Sequence, residues 1–171
     1  MEWRMLTQKK VREFFDYADG VLHWKVQKAN AIKIGQIAGS LDKKTGYYRI
    51  HLNSKFHKTH RLIFLYHHGY LPTYVDHIDN NRTNNRIENL REATKSQNSM
   101  NQKISTRNTS GIKGVMWHKR DKKWFVQLRV NSKCHSFGYY DDKELAELVA
   151  IEATNKLHKE FSAYKGALNG I

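Results

Sequence analysis

Residues 75–91 read Val-Asp-His-Ile-Asp-Asn-Asn-Arg-Thr-Asn-Asn-Arg-Ile-Glu-Asn-Leu-Arg, and Asn98 follows in a segment patterned as a helix over 94–100. An apolar strand here hands an adjacent Asp76-His77 pair to a loop rich in asparagine, with Asn89 near its far end. Those residue types suit the hydrolysis of a phosphodiester. Such a reaction needs a cation to balance charge on the phosphate and the departing oxygen, a base to deprotonate water, and a scaffold to orient that base. Carboxylate and amide oxygens serve the first need. An imidazole, with an ordinary pKa of about 6.5, serves the second.

The same loop admits other readings. A calcium loop starting at Asp79 would place glycine sixth and glutamate twelfth; Asn84 and Leu90 stand there, which excludes it. A plainer alternative, which composition leaves open, is that Asp76, Asp79 and the asparagines make Asx-turns in a solvated loop. His67 and His68 read as packing or surface residues, and the role of His60 is undecided. Adjacent strand residues point to opposite faces. Asp76 and His77 therefore share one phosphate only if the strand ends or twists between them, and a distorted strand end is expected there.

The elements that must position this loop can be read from periodicity. A helix over about 7–17, capped by Thr7, sets Val11, Phe14 and Phe15 on one face. Asp19-Gly20 turns the chain into a strand over 21–26, and short strands follow near 35–38, 47–52 and 55–58. A helix over about 60–67 offers Leu62, Ile63, Leu65 and Tyr66 to a core and stops before Gly69 and Pro72. The polar segment 101–111 reads as a linker, dividing the chain into residues 1–104 and 105–171. Beyond it, strands over 115–118, 124–130 and 133–140 precede a helix over 143–161 that Asp141-Asp142 cap. Leu145, Ala146, Val149, Ala150, Ala153 and Leu157 form its apolar stripe. The expected class is α+β, the second part being a three-stranded antiparallel sheet with one helix laid on it.

Charge narrows the partners. The 171 residues carry 30 Lys and Arg against 16 Asp and Glu, a net charge of +14. Both halves are basic, so a polyanion is the natural partner. No apolar run reaches the roughly 18 residues of a membrane span, and no signal-peptide core is expected at the start. Cys134 is the lone cysteine. It excludes an internal disulfide and a Cys-rich zinc site and fits a reducing compartment. Any metal must be held mostly by O or N ligands, which suits magnesium or manganese better than zinc.

In order, His60-Arg61-Leu62, Val75-Asp-His-x-Asp, Asn-Asn-Arg, Glu88-Asn89-Leu90-Arg91 and Asn98 resemble the HNH homing endonucleases of phages and mobile introns, over about residues 45–101. The resemblance implies a ββα-metal motif at about 74–101, two strands and a helix around one divalent ion. It further implies that His77 is the general base, that Asp76 and Asn98 hold the metal, and that Asn89 pins the loop so that His77 is oriented. Asparagine at position 98, where many relatives have histidine, favours Mg²⁺ or Mn²⁺. The Cys pairs that hold structural zinc in some relatives are absent, so none is expected.

Ser110-Gly-Ile-Lys-Gly-Val-Met-Trp-His-Lys-Arg120, Lys123-Trp-Phe-Val-Gln-Leu-Arg129 and Ser136-Phe-Gly-Tyr-Tyr-Asp141 resemble the AP-two, or ethylene-response-factor, DNA-binding domain over about 108–165. In that family a three-stranded sheet enters the major groove, where a ribbon fits. Gln127 and Arg129 are apt for bidentate contacts with adenine and guanine, with His118, Lys119, Lys133 and His135 flanking them. Met116 stands where an arginine is usual, and Ser136 where a tryptophan is usual.

The expectation is a metal-dependent endonuclease that nicks or cuts a specific site in double-stranded DNA, leaving 5′-phosphate and 3′-hydroxyl ends as the resemblance implies. It would act as a monomer on DNA or a homodimer. No small-molecule cofactor or membrane is expected, and the location would be the cytoplasm, the bacterial host's if the chain is phage-encoded. The alternatives are a non-catalytic DNA-binding regulator that keeps the nuclease fold, and a nuclease or binder directed at RNA.

Overall fold

A computed structural model describes residues 6–27, 32–102, 104, 106, 108–158 and 161. Helices and small sheets are mixed, as the α+β class requires. The chain separates into two compact units, Met1–Ala93 and Thr94–Ile171.

In the first unit, α1 (Gln8–Phe14) starts at Thr7, whose side chain accepts from the Lys10 N–H. It is shorter than its apolar pattern predicts, because Phe15–Ala18 leaves the helix as β1 and pairs with β2 (Val21–Trp24). Val11 and Phe15 still reach the core, fully buried, one from the helix and the other from the strand. A three-stranded sheet follows, β3 (Ser40–Asp42), β4 (Tyr47–Leu52) and β5 (Lys55–Lys58). The strand expected near 35–38 is reduced to a single bridge between His23 and Ile37. Gly35 and Gly39 both take positive φ and break any extended run there. Helix α2 (Thr59–His68) ends on Gly69 in the left-handed conformation, which suits a residue without Cβ. It buries Leu62, Ile63, Phe64 and Leu65 against Ile50, Leu52, Leu22 and Trp24.

The unit closes with β6 (Tyr74–His77) and β7 (Leu90–Ala93), an antiparallel pair in regular register. Asp76 stands opposite Arg91 and His77 opposite Leu90. The ladder runs intact through both Asp76 and His77, and the turn begins only at Ile78, whose N–H donates to the Asn89 carbonyl at 2.9 Å. The strand therefore ends after the pair, with no break inside it.

In the second unit, α3 (Lys95–Asn101) begins with a capping box. Thr94 accepts from the Gln97 N–H while Gln97 reaches back to the Thr94 N–H, satisfying two end donors at once. The Ser96 hydroxyl accepts from the Asn131 N–H at 3.1 Å. At the other end of α3 the Lys113 ammonium donates to the carbonyls of Met100 and Gln102. These contacts tie α3 to the β-rich part of its unit. The division of the chain thus falls before α3, ahead of the polar segment that marks a linker in the sequence.

Strands β8 (Val115–His118), β9 (Lys123–Val130) and β10 (Lys133–Tyr140) form an antiparallel sheet with β9 central. Helix α4 (Lys143–His158) lies on it, Ala146 and Ala150 packing on Val115 and Val126. The small alanines let helix and sheet approach closely. The described part of the helix ends at His158, within the span its stripe predicts.

Candidate active site

The loop between β6 and β7 is built from side-chain hydrogen bonds. Asp79 is its hub. The Asn81 N–H and the Asn89 Nδ2 donate to Asp79 Oδ1 at 2.7 and 2.9 Å, and the Asn84 Nδ2 donates to Oδ2 at 2.7 Å. Burial pushes the Asp79 carboxyl up, but these donors outweigh it and hold the group below its usual range. Asn81 makes the next Asx-turn, accepting from the Thr83 N–H at 3.1 Å. The Asx-turn reading of this loop is therefore correct for Asp79 and Asn81, and it coexists with a buried site beside it.

Asn89 closes the loop. Its Oδ1 accepts from the Asp79 N–H at 3.0 Å and its Nδ2 donates to the Asn84 carbonyl at 2.8 Å. It bonds to the loop frame, whereas a hydrogen bond to the His77 ring is made by Asn85. The Asn85 Oδ1 lies 3.0 Å from His77 Nε2 in a buried contact. His77 and Asn85 are each 4 % exposed. The His77 ring meets His60 edge-on, with centroids 4.8 Å apart, and Tyr47 at 5.9 Å. Burial lowers the His77 pKa, opposed by the hydrogen bond to Asn85 and by the Asp79 and Asp76 charges. Near neutral pH the ring is neutral and able to take a proton.

His60 is buried on α2, and burial, then repulsion from His77, Lys58 and Arg61, pushes its pKa down to about 2. It packs as a neutral aromatic wall between Tyr47 and His77. His67 packs edge-on against Tyr17 and His68 against Phe64.

Asp76 is buried, and its carboxylate is met by the Arg91 guanidinium at 3.0 and 3.1 Å. A buried carboxylate needs such a partner, because isolated charge in the interior is costly. Asn98 is half-buried on α3, in the second unit. Sequence reasoning missed Asn85, Arg91 and Tyr47. Arg91 had a signal, since two antiparallel strands joined at 77 and 90 place 76 against 91. Asn85 had none, because its approach to His77 depends on how the loop closes.

In the second unit, cross-strand partners share a face. Register puts Gln127 opposite Ser136, Arg129 opposite Cys134, and His118 opposite Lys123. With Met116, Phe125 and Tyr139 these make the face turned away from α4. Phe125 stacks on Tyr139 at 4.6 Å, and His118 meets Tyr139 edge-on at 5.4 Å. Lys119 follows in the exposed β8–β9 turn. His135 and Lys133 pair with Leu128 and Val130 and so belong to the opposite face, though both are exposed. The six candidate DNA contacts thus fall into an outer group of His118, Gln127 and Arg129, a turn residue, and two at the margin of the α4 side.

Residues 57–100 match the family model described as HNH endonuclease. This segment holds His60, the Asp76-His77 pair, Asn85 and Asn89, so the buried histidine site lies within an HNH endonuclease domain. The chain is 36 % identical over 94 residues to Protein 3.8 of Escherichia phage T7, covering 54 % of this chain and 75 % of that one. It belongs to the same family as that phage protein. It is also 33 % identical over 107 residues to a protein of Acanthamoeba polyphaga mimivirus named as an uncharacterized HNH endonuclease, covering 61 % of this chain and 54 % of the relative. No solved structure matches the chain. Among the described residues no helix is long and apolar enough to cross a membrane.

Proposed function

We propose that this protein is a metal-dependent endonuclease that hydrolyses phosphodiester bonds of double-stranded DNA at a preferred site, in the manner of a homing endonuclease. The observation that carries the reading is the buried, neutral His77 at the end of β6, held by Asn85 and next to the Asp76 carboxylate, inside an HNH domain. His77 takes the proton from the attacking water. Asn89 keeps the loop closed around Asp79, and Arg91 holds Asp76.

HNH nucleases generally use a divalent metal ion, which supplies charge stabilisation for the phosphate and the leaving oxygen when bound. The donors here fit a hard ion. Among the described residues no group of three or more His, Cys, Asp and Glu gathers, so an ion would draw on one carboxylate together with amide, phosphate and water oxygens, a set suited to Mg²⁺ or Mn²⁺. Asp76 and Asn98 are the proposed protein ligands, on the order of the motif. β6 keeps its register through Asp76 and His77, so those two side chains leave opposite faces of the strand, and the phosphate would have to reach both around the strand end.

The second unit is the proposed DNA-binding module, of the AP-two type. His118, Gln127 and Arg129 are the proposed groove contacts on the outer face, and Lys119 in the adjoining turn is a proposed phosphate contact. Lys133 and His135, exposed on the other face of the edge strand, are proposed to reach phosphates beside it. The domain limits proposed are 1–104 and 105–171, with α3 belonging to the motif of the first and packed with the second.

The experiment is cleavage of a duplex DNA library with Mg²⁺ or Mn²⁺, beside RNA and metal-free controls, followed by sequencing of the ends. Metal-dependent cutting of DNA with 5′-phosphate ends supports the reading. Binding without cutting under every metal condition would replace it with the non-catalytic regulator, and cutting confined to RNA would replace the substrate.

A further inference from the structure

We propose that Asn85, clamped in place by the β1–β2 hairpin, is the positioning residue that selects the tautomer and direction of the His77 imidazole. This rests on the reading of His77 as the base. A carboxamide oxygen can only accept. With Asn85 Oδ1 3.0 Å from His77 Nε2, the proton of the neutral ring sits on Nε2, and Nδ1 is the basic nitrogen. The ring contacts of His60 and Tyr47 hold the plane of the imidazole but do not distinguish its two nitrogens.

Asn85 needs support of its own, since it lies in a loop without a strand ladder. The hairpin supplies it from nearly seventy residues away in sequence. The Tyr17 hydroxyl accepts from the Ile87 N–H at 3.0 Å. Tyr17 in turn packs on His67 of α2 at 4.5 Å. Asp19 pairs with Arg86 at 3.1 Å on the surface. Between them Gly20, at φ +86°, presses directly on the loop backbone. A Cβ there would come within 2.7 Å of the Arg86 nitrogen and 2.9 Å of the Asn85 carbonyl carbon. The position thus demands glycine twice, for its backbone angle and for its space. The segment 85–87 is gripped from one side by the hairpin, and the side chain of Asn85 passes that constraint to His77. Asn89 serves a separate purpose, closing the loop around Asp79.

The test uses the full chain with two independent readouts. A nitrogen-15 spectrum of the imidazoles identifies which nitrogen of His77 is protonated, with no need for activity. Steady-state cleavage of duplex DNA separates kcat from KM. The wild-type ring is expected as the Nε2–H form. Asn85→Ala should let a share of the Nδ1–H form appear beside Nε2–H and lower kcat by about 10–100-fold, the usual effect of losing a partner that orients a functional histidine, with KM little changed. Asn85→Asp keeps an acceptor oxygen and should restore the Nε2–H form. Tyr17→Phe loosens the clamp from a distance. It should broaden or split the His77 signal and lower kcat less than Asn85→Ala does. If Asn85→Ala does not fold, the Asn85→Asp and Tyr17→Phe spectra decide. An unchanged tautomer in Asn85→Ala overturns the proposal, and so does an Asp or Phe variant whose tautomer and mobility run against these expectations. If the wild type cuts no DNA, the endonuclease reading fails, while the spectra still decide what Asn85 does.

Discussion

The β6–β7 loop and the outer face of the β8–β9–β10 sheet are both polar, yet their side chains are held by different means. In the loop, amides and the Asp79 carboxylate bond to one another and to backbone, and beside them Asp76 and His77 of β6 and Asn85 of the loop are all under a tenth exposed. On the sheet, the backbone ladder fixes the frame, and Gln127, Arg129 and His118 project from it toward solvent. The first arrangement fixes a few groups, each by several hydrogen bonds. The second offers many replaceable contacts on a rigid platform. Loss of one residue should therefore act as a switch in the loop and as an increment on the sheet.

The largest effect tests the first half of that contrast. His77→Ala should lower the cleavage rate by about 10²–10⁴-fold, the usual contribution of a general base, and leave DNA affinity nearly unchanged, because affinity lies in distributed phosphate contacts. Single-turnover cleavage and a binding titration on the same variant check it. A rate close to wild type would remove His77 from the chemistry.

Next in size is the cost of exposing the difference in burial. Arg91→Met leaves the Asp76 carboxylate buried without its partner and should destabilise the fold by about 3 kcal/mol. Arg129→Met, on the exposed sheet face, should stay within about 0.5 kcal/mol of wild type. Urea unfolding of both, at one pH, sets the two regions against each other. Equal losses would erase the distinction.

On the sheet itself, Arg129→Ala should cost about 1–3 kcal/mol at the preferred site and little on random DNA if the guanidinium reads a base. Lys119→Ala, in the turn, should weaken both equally and reduce the salt slope of binding by about one. Equal losses for Arg129 on target and random DNA would make the whole face an electrostatic clamp.

The smallest effect belongs to buried His60. Its folded pKa, about 2, lies below the ordinary value. The unfolded chain therefore takes up the proton first as pH falls. Stability from its neutral burial is complete above about pH 6.5 and drains as the solution is acidified toward the folded value, by at most about 1.4 kcal/mol per pH unit. His60→Phe should flatten the fall in urea midpoint between pH 7.5 and 5.5. A variant as acid-sensitive as the wild type would assign that slope to other groups.

Several features were legible in the residues alone because they are local. The strands over 115–118, 124–130 and 133–140 and the apolar stripe of the helix after them rest on short-range periodicity, so they were readable before any contact was known. The Asx-turns at Asp79 and Asn81 reach only two residues along the chain, so composition and spacing pointed to them. The order Asp-His, Asn-Asn-Arg, Glu-Asn-Leu-Arg and Asn98 was enough to mark the HNH segment and its candidate residues. What the tertiary structure decided depends on closure over long separations. Phe15 leaves α1 for a strand in which it pairs with Trp24 and stays buried in the core, a partner nine residues on that helical periodicity does not register. Tyr17 and Gly20 reach Ile87 and Arg86 only through the β1–β2 hairpin. Asn85, one of several asparagines in the loop with nothing in its neighbours to single it out, becomes the partner of His77 because the hairpin fixes where the loop backbone runs. His60 becomes a neutral wall for the same reason: burial lowers an imidazole's pKa only once the surrounding protein has displaced water.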